Sequence, residues 1–354
     1  MAYTTIDDPS AYFQTLLYTG NATGRSLDNT GNSDLKPDWI WVKKRANDAQ
    51  NHTATDSTRG VANILFQDGT DAESATQLVT EFRTNGFGIN TNALINDNTD
   101  TYVAWQWKAN GGTRTTNAES GNNPAGGYQA NTTAGFSIVD YVGTGALGTM
   151  AHGLGIKPEW IVIKNRGSGG WSWYTYHGSN TDAPETELLY MNNDDATTDT
   201  AAIWNDTAPT SSVFTINTNG GVNADANNYI AYCFAPIQGY SRFGSYIGNN
   251  NADGPFVYTG FKPAWLFVKN TTSDGNSWVM LDNKRQGFNP ENDFLFSNSN
   301  AVESVDLSNH GFDFLSNGFK QRGTGQNDDG DLFVYMAFAE SPFVTSTGIP
   351  TTAR

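Results

Sequence analysis

Cysteine is nearly absent from this chain of 354 residues, with Cys233 standing alone. One thiol excludes an intramolecular disulfide framework and any zinc site built on cysteines. Histidine is scarce as well: four residues, none paired at HxxxH spacing. Lysine and arginine number 20 against 36 acidic residues, a formal net charge of −16. A duplex nucleic-acid binder needs a cationic field, and so does adsorption to an anionic membrane, so neither partner is expected. Long hydrophobic runs are missing: the longest apolar-aromatic stretch, Tyr229 to Ile237, falls well short of the roughly 20 residues of a spanning helix. Met1 to Phe13 has neither a basic region nor an apolar one, so no secretory signal is expected. The phrases GxSxG and HExxH and the glycine signatures of nucleotide-binding loops do not occur. Cys233 lies inside an apolar strand and reads as a packed small residue.

What the chain does contain is aromatic: 10 Trp, 15 Tyr and 20 Phe, with charged residues at only 16%. Such a composition folds, because disordered chains are poor in aromatics and rich in charge. The 37 Gly and 39 Asn are the chemistry of many turns. Helical periodicity is almost absent. Ala75, Leu78, Val79 and Phe82 could form a helical turn, but the run continues into Asn85-Gly86 and a strand is expected there.

One phrase occurs three times: Lys36-Pro37-Asp38-Trp39, Lys157-Pro158-Glu159-Trp160 and Lys262-Pro263-Ala264-Trp265. Each tryptophan opens an apolar run ending in lysine, at Lys43, Lys164 and Lys269. Thirteen residues after each Trp stand His52, Trp173 and Trp278; seventeen after stand Asp56, His177 and Asp282. Upstream lie Tyr18-Thr19-Gly20, Tyr141-Val142-Gly143 and Tyr246-Ile247-Gly248. Downstream, Asn85-Gly86, Asn219-Gly220 and Asn317-Gly318 each read as a hairpin turn, since Asn-Gly suits the positive φ angles of a type I′ turn. Units close on apolar strands Tyr102–Trp107, Tyr229–Phe234 and Phe333–Phe338. Short strands rich in Trp, Tyr, Phe, Val and Ile predict an all-β fold of three tandem antiparallel β-sandwich repeats of jelly-roll or lectin-like type. Their expected bounds are 1–110, 135–237 and 238–345, with Trp39, Trp160 and Trp265 as the repeat cores. The Gly, Asn and Thr-rich segment 111–134 reads as a flexible linker and 346–354 as a flexible tail. Units two and three should pack as a pair, with unit one joined more loosely.

Three features carry candidate chemistry. Trp171-Ser172-Trp173-Tyr174-Thr175-Tyr176-His177 places large rings on both faces of a strand. Trp171, Trp173 and Tyr174 could stack on a glycan, or the strand could be covered on both faces, which is the preferred reading. Asp/Asn loops before each closing strand, 96–100, 223–228 and 327–331, could hold Ca²⁺, but they lack the calcium-loop spacing and read as turns. Asp56 with Arg59 and Asp282 with Arg285 recur at i, i+3 and read as loop-fixing surface ion pairs.

The phrases Gly135-Phe136-Ser137-Ile138-Val139-Asp140-Tyr141-Val142-Gly143 and His152 through Arg166 resemble a repeat in virion proteins of tailed phages, marine ones especially. Tyr240–Tyr246, Phe256–Trp265, Asp313–Lys320 and Tyr335–Glu340 are similar to the same group's C-terminal module, and Tyr102–Lys108 to its N-terminal partner. The resemblance implies a non-enzymatic structural protein on the outer surface of the particle, a tail fibre, knob or capsid decoration. The expected partners are further copies in a homotrimer, other virion proteins and, on the competing lectin reading, a host-surface glycan. A polysaccharide depolymerase is a third reading, and no cofactor is expected.

Overall fold

A computed structural model describes residues 2–351. Strands in the first third are β1 (Phe13–Thr19), β2 (Arg25–Leu27), β3 (Trp39–Lys44), β4 (Thr53–Asp56), β5 (Leu65–Phe66), β6 (Val79–Phe82), β7 (Phe87–Ile89) and β8 (Thr101–Trp107). The middle third carries β9 (Thr115–Asn117), β10 (Gly126–Asn131), β11 (Phe136–Val142), β12 (Gly148–Ala151) and β13 (Trp160–Asn165). It continues with β14 (Trp173–His177), β15 (Glu187–Tyr190), β16 (Thr198–Asp199), β17 (Val213–Ile216) and β18 (Asn228–Phe234). The last third has β19 (Ser241–Ile247), β20 (Phe256–Tyr258), β21 (Phe261–Asn270) and β22 (Val279–Asp282). It ends with β23 (Leu295–Phe296), β24 (Phe312–Leu315), β25 (Gly318–Gln321) and β26 (Leu332–Pro342).

One strand order recurs. It is β1-β8-β3-β4-β5 in the first sheet, β11-β18-β13-β14-β15 within an eight-stranded second sheet, and β19-β26-β21-β22-β23 in the third. All pairings are antiparallel. Each large sheet is backed by a small one: β2-β7-β6, β12-β17 and β20-β25-β24. The protein is therefore all-β and built of packed antiparallel sheets.

The side-chain period of two explains why both faces of the large sheets are apolar. Along β3, Ile40 and Val42 enter the unit's own core while Trp39 and Trp41 point the other way. Along β13, Ile161 and Ile163 face the unit core and Trp160 and Val162 face away. Along β21, Leu266 and Val268 alternate with Trp265 and Phe267 in the same manner. The residues facing away meet in one shared core at the centre of the molecule, where Trp39, Trp160 and Trp265 are all buried. There Trp39 stacks on Tyr232 at 4.3 Å, and Trp107 meets Trp265 edge-on at 5.5 Å. Rings from separate thirds of the chain thus share one interior.

The segment 111–134 is not a linker. Strand β10 pairs along β11 from Gly126↔Tyr141 to Asn131↔Phe136, and β9 pairs with β10 outside it. Its small residues are what the site demands: a Cβ on Gly126 would lie 2.1 Å from the Asp140 carbonyl oxygen. Nor is the first unit loosely joined, since Trp39 and Trp41 are wholly inside the shared core. Asn219-Gly220 is a third departure. Hairpins do form at the other two. Asn85-Gly86 lies in the β6–β7 turn, with only Gly86 at positive φ. Ser316-Asn317 turns β24 into β25, whose first residue Gly318 pairs with Leu315, so neither is the type I′ turn expected. Asn219 instead caps a one-turn helix, α2 (Gly220–Asn223), its side chain accepting from the Gly221 N–H. Its counterpart is Asn92, which caps the one-turn helix α1 (Ala93–Asn96) in the first unit. In the expected tail Ser346 donates to Asp7, while 352–354 lie outside the described residues.

Candidate functional site: a closed ring of unit interfaces and its clefts

The positions that share a register in the sequence meet at the seams between units. Trp173 donates its indole N–H to the Phe66 carbonyl of the first unit at 2.9 Å, and Trp278 donates to the Tyr190 carbonyl of the second at 2.8 Å. His52, at the same register, is buried with no hydrogen-bond partner on Nε2 among the described residues, and the link to the third unit is made beside it by Lys43, which donates to the Asn300 carbonyl. Trp41 donates to His52 Nδ1 at 2.9 Å, and burial holds the imidazole well below its usual pKa. Phe66, Tyr190 and Phe296 lie on the equivalent strands β5, β15 and β23. Unit two therefore reaches unit one, three reaches two, and one reaches three. These head-to-tail contacts close after three steps, within a single chain.

The three lysines repeat the pattern. Lys43 Nζ donates to the Gln50 carbonyl (2.6 Å) and to Asn300 of unit three (2.9 Å). Lys164 donates to Trp171 (2.6 Å) and to Thr70 of unit one (3.2 Å). Lys269 donates to Asn276 (2.5 Å) and to Asp194 of unit two (3.0 Å). Burial pulls each ammonium from 10.5 down to about 8. The folded protein then sheds protons near pH 8 that the unfolded chain keeps to 10.5, so the unfolded state binds more protons in that window and stability rises with pH. We expect the melting temperature to climb from pH 8 to about 9, above which the unfolded chain begins to lose tyrosine and Cys233 protons that burial keeps in the folded one, and Lys164→Met to lessen the climb. A flat profile in the unmodified protein would contradict the burial of these charges.

At the next shared position, Asp56 accepts from the Tyr232 hydroxyl of unit two at 2.7 Å, and Asp282 from the Trp105 indole of unit one at 3.0 Å. His177 Nε2 faces the Tyr335 carbonyl of unit three at 3.0 Å. The pairs Asp56–Arg59 (2.5 Å) and Asp282–Arg285 (2.7 Å) are not surface pairs: their side chains are at most 1% exposed. Glu73 and Glu303 extend them across the seams, bonded by Arg166 at 2.8 Å and by Arg45 at 2.7 Å. The third seam has the Thr197 N–H bonded to the Thr271 carbonyl at the matching place.

The glycan candidates do not share an open surface. Trp173 is 0% exposed and Tyr174 is buried, while Trp171 is half-buried with its ring against Gly220. The reason is the two-sided burial of β14. Its Trp173 face belongs to the shared core, and its Tyr174 face to the unit core. The Asp/Asn loops hold structural bonds. In the first, the Lys44 ammonium stands among Asp48, Asp97 and Asp100, so a lysine occupies the centre of that acidic cluster. Burial opposes the charge on Lys44, and its bonds to Asp100 and Asp48 outweigh that, leaving its pKa raised. Buried Asn96, Asn223 and Asn327 each accept a backbone N–H from the loop opposite, those of Asn21, Thr144 and Asn249. Cys233 is buried in the second unit's core, and desolvation pushes its thiol up.

Two concavities lie where a unit's first strand passes the next seam. One of about 180 Å³ is lined by Phe13, Gln14, Thr15, Asn283 and Lys284. The other, about 610 Å³, is lined by Ser241, Arg242, Phe243, Glu159, Gly178 and Ser179, with Tyr3 and Tyr258 at its margin. They are equivalent by the register of the repeats. Sequence inspection misses them because they join residues from about 60 to about 270 positions apart, though the repeated register foretells that they come as a set.

The fold and its seams define a single-chain, all-β protein whose sandwiches share one aromatic interior. The chain belongs to the DUF7483 family, a domain of unknown function, whose model matches residues 8–342. No curated protein matches it.

Proposed function

We propose that this chain is a non-enzymatic structural protein of a tailed-phage virion, exposed on the particle as a fibre tip, knob or capsid decoration. The phage assignment rests on the sequence resemblance, and the passive role on one structural observation. The charged and titratable groups at the repeated positions, Lys43, Lys164, Lys269, Asp56, His177 and Asp282, are engaged in bonds between units. Groups so engaged lock a rigid body together, which suits a surface component that must survive outside a cell. Other particle proteins and further copies of the chain are its partners on this reading. Because the inner faces are already covered, subunits of a homotrimer would meet through outer sheets or strand edges.

The decisive measurement is the number of copies per purified particle, by quantitative mass spectrometry. Hundreds of copies identify a capsid decoration, and about a dozen a tail appendage. Absence of the protein from purified particles overturns the proposal.

A further inference from the structure

The chain covers one of its equivalent sheet edges with a strand of its own and leaves another bare. In the second unit β10 adds to β11, and Gln129, opposite Ile138, turns inward across the seam. Its amide donates to Thr58 Oγ1 at 2.6 Å and accepts from Ser57 Oγ at 3.2 Å, both in unit one. The strand equivalent to β11 in the third unit is β19, and Phe243 corresponds to Ile138. Gly178 and Ser179 stand eighteen and nineteen residues after Trp160, as Ser57 and Thr58 stand after Trp39. The cleft of about 610 Å³ lies between those residues and Phe243, in the place that Gln129 fills on unit two. At the first unit's edge the loop through Gly31 closes down on Gln14, whose Oε1 accepts the Gly31 N–H at 2.8 Å, and the cavity shrinks to about 180 Å³.

The β19 edge has the backbone for such an addition. The bonds from Ala339 N–H to the Tyr240 carbonyl and from Gly248 N–H to the Asp331 carbonyl bracket its ladder with β26. With alternation in an antiparallel pair, the even-numbered residues between them bond β26, and Phe243, Ser245 and Ile247 direct their N–H and C=O outward. No described residue bonds those outward groups. Ser245 is exposed and Ile247 is 54% exposed, whereas Ser241 at the near end is buried and donates its N–H to the Ile237 carbonyl at 2.9 Å, so the unpaired edge runs from Phe243 to Ile247. Proteins ordinarily blunt such an edge with charge, a bulge or a covering segment.

We propose that β19 is a strand-addition site. An extended segment of another polypeptide pairs antiparallel with Phe243–Ile247 and places one long polar side chain, opposite Phe243, in the cleft beside Ser179 and Glu159. Main-chain bonds supply affinity in such an arrangement and the side-chain pocket supplies selectivity. A second copy of β19 is a poorer occupant, because the face it would turn to the cleft carries Ser241, Phe243, Ser245 and Ile247, none of them long and polar. The inference stands on the sheet geometry alone and holds whichever assembly the chain serves.

The test uses the full chain and a fluorescent peptide copying residues 124–133, the segment known to fit an equivalent edge, with glutamine or glutamate at the position of Gln129. At least one of the two peptides should bind saturably by anisotropy. Ser245→Pro removes an outward N–H and leaves the β26 ladder intact, so it should weaken binding about tenfold or more without moving the melting temperature. Should that variant fold poorly, methylating the peptide amides that face β19 should weaken binding as much, and methylating the alternate amides should not. Failure of both peptides to bind, or binding indifferent to N-methylation and to Ser245→Pro, overturns the proposal. A dimer of the chain itself that Ser245→Pro dissolves overturns it as well, in favour of a second copy.

Discussion

Trp39→Ala lowers the unfolding free energy by about 3–5 kcal/mol, the range for deleting a large buried aromatic ring. The ring stacks on Trp107 of its own unit at 4.6 Å and on Tyr232 of the second at 4.3 Å, and it lies 6.0 Å from Phe234. Removing it therefore opens a cavity on the seam, not within one sandwich. Urea unfolding followed by tryptophan fluorescence checks this, and the transition should stay single, because the three units have one interior in common. A loss below about 1 kcal/mol, or a first unit that melts alone, would show that the shared core does not couple the units.

Asp282→Ala costs a similar amount, about 3–5 kcal/mol. The carboxylate accepts from Arg285 at 2.7 Å and from the Trp105 indole at 3.0 Å, and its removal strands a guanidinium 1% exposed together with an indole N–H from another unit. Glu303, which also bonds Arg285 at 2.7 Å, holds the loss to the lower part of that range. Replacing both partners together, Asp282→Leu with Arg285→Met, should recover part of the stability, since no guanidinium is then left without its carboxylate. Glu303 keeps its bond from Arg45, while the Trp105 indole loses its acceptor. Chemical denaturation of the single and double variants gives the comparison. A double variant no more stable than the single one would mean that the ion pair stabilises the seam directly.

The two results would separate contributions that the sequence presents as one. Strand identity is legible in Trp39-Ile40-Trp41-Val42, where apolar residues occupy both phases of a period of two, and that pattern already requires cover on both faces. The β6 strand was legible too, because Val79 to Phe82 leads into a turn whose Asn-Gly suits a hairpin. Strand β10 was not. Gly126-Gly127-Tyr128-Gln129-Ala130 has no apolar period, and what holds it is its ladder with β11 and the bonds of Gln129 to Ser57 and Thr58, more than 70 residues away. Asn219-Gly220 misleads for a related reason. The same dipeptide serves a hairpin or a helix cap, and the backbone it joins decides which.

The candidate site divides in the same way. Residue order along the chain already shows an all-β protein, a recurring Lys-Pro-x-Trp unit, and one register shared by Lys43, Lys164 and Lys269 with His52, Trp173 and Trp278. These are local matters, settled by side-chain alternation and by spacing along the chain. Packing in three dimensions is what turns those positions toward neighbouring units in a closed ring, makes Trp173 interior and unavailable to a ligand, and covers β11 while β19 stays open. Contacts across a seam join residues far apart in the chain, and no periodicity within a strand encodes which other strand will lie against it.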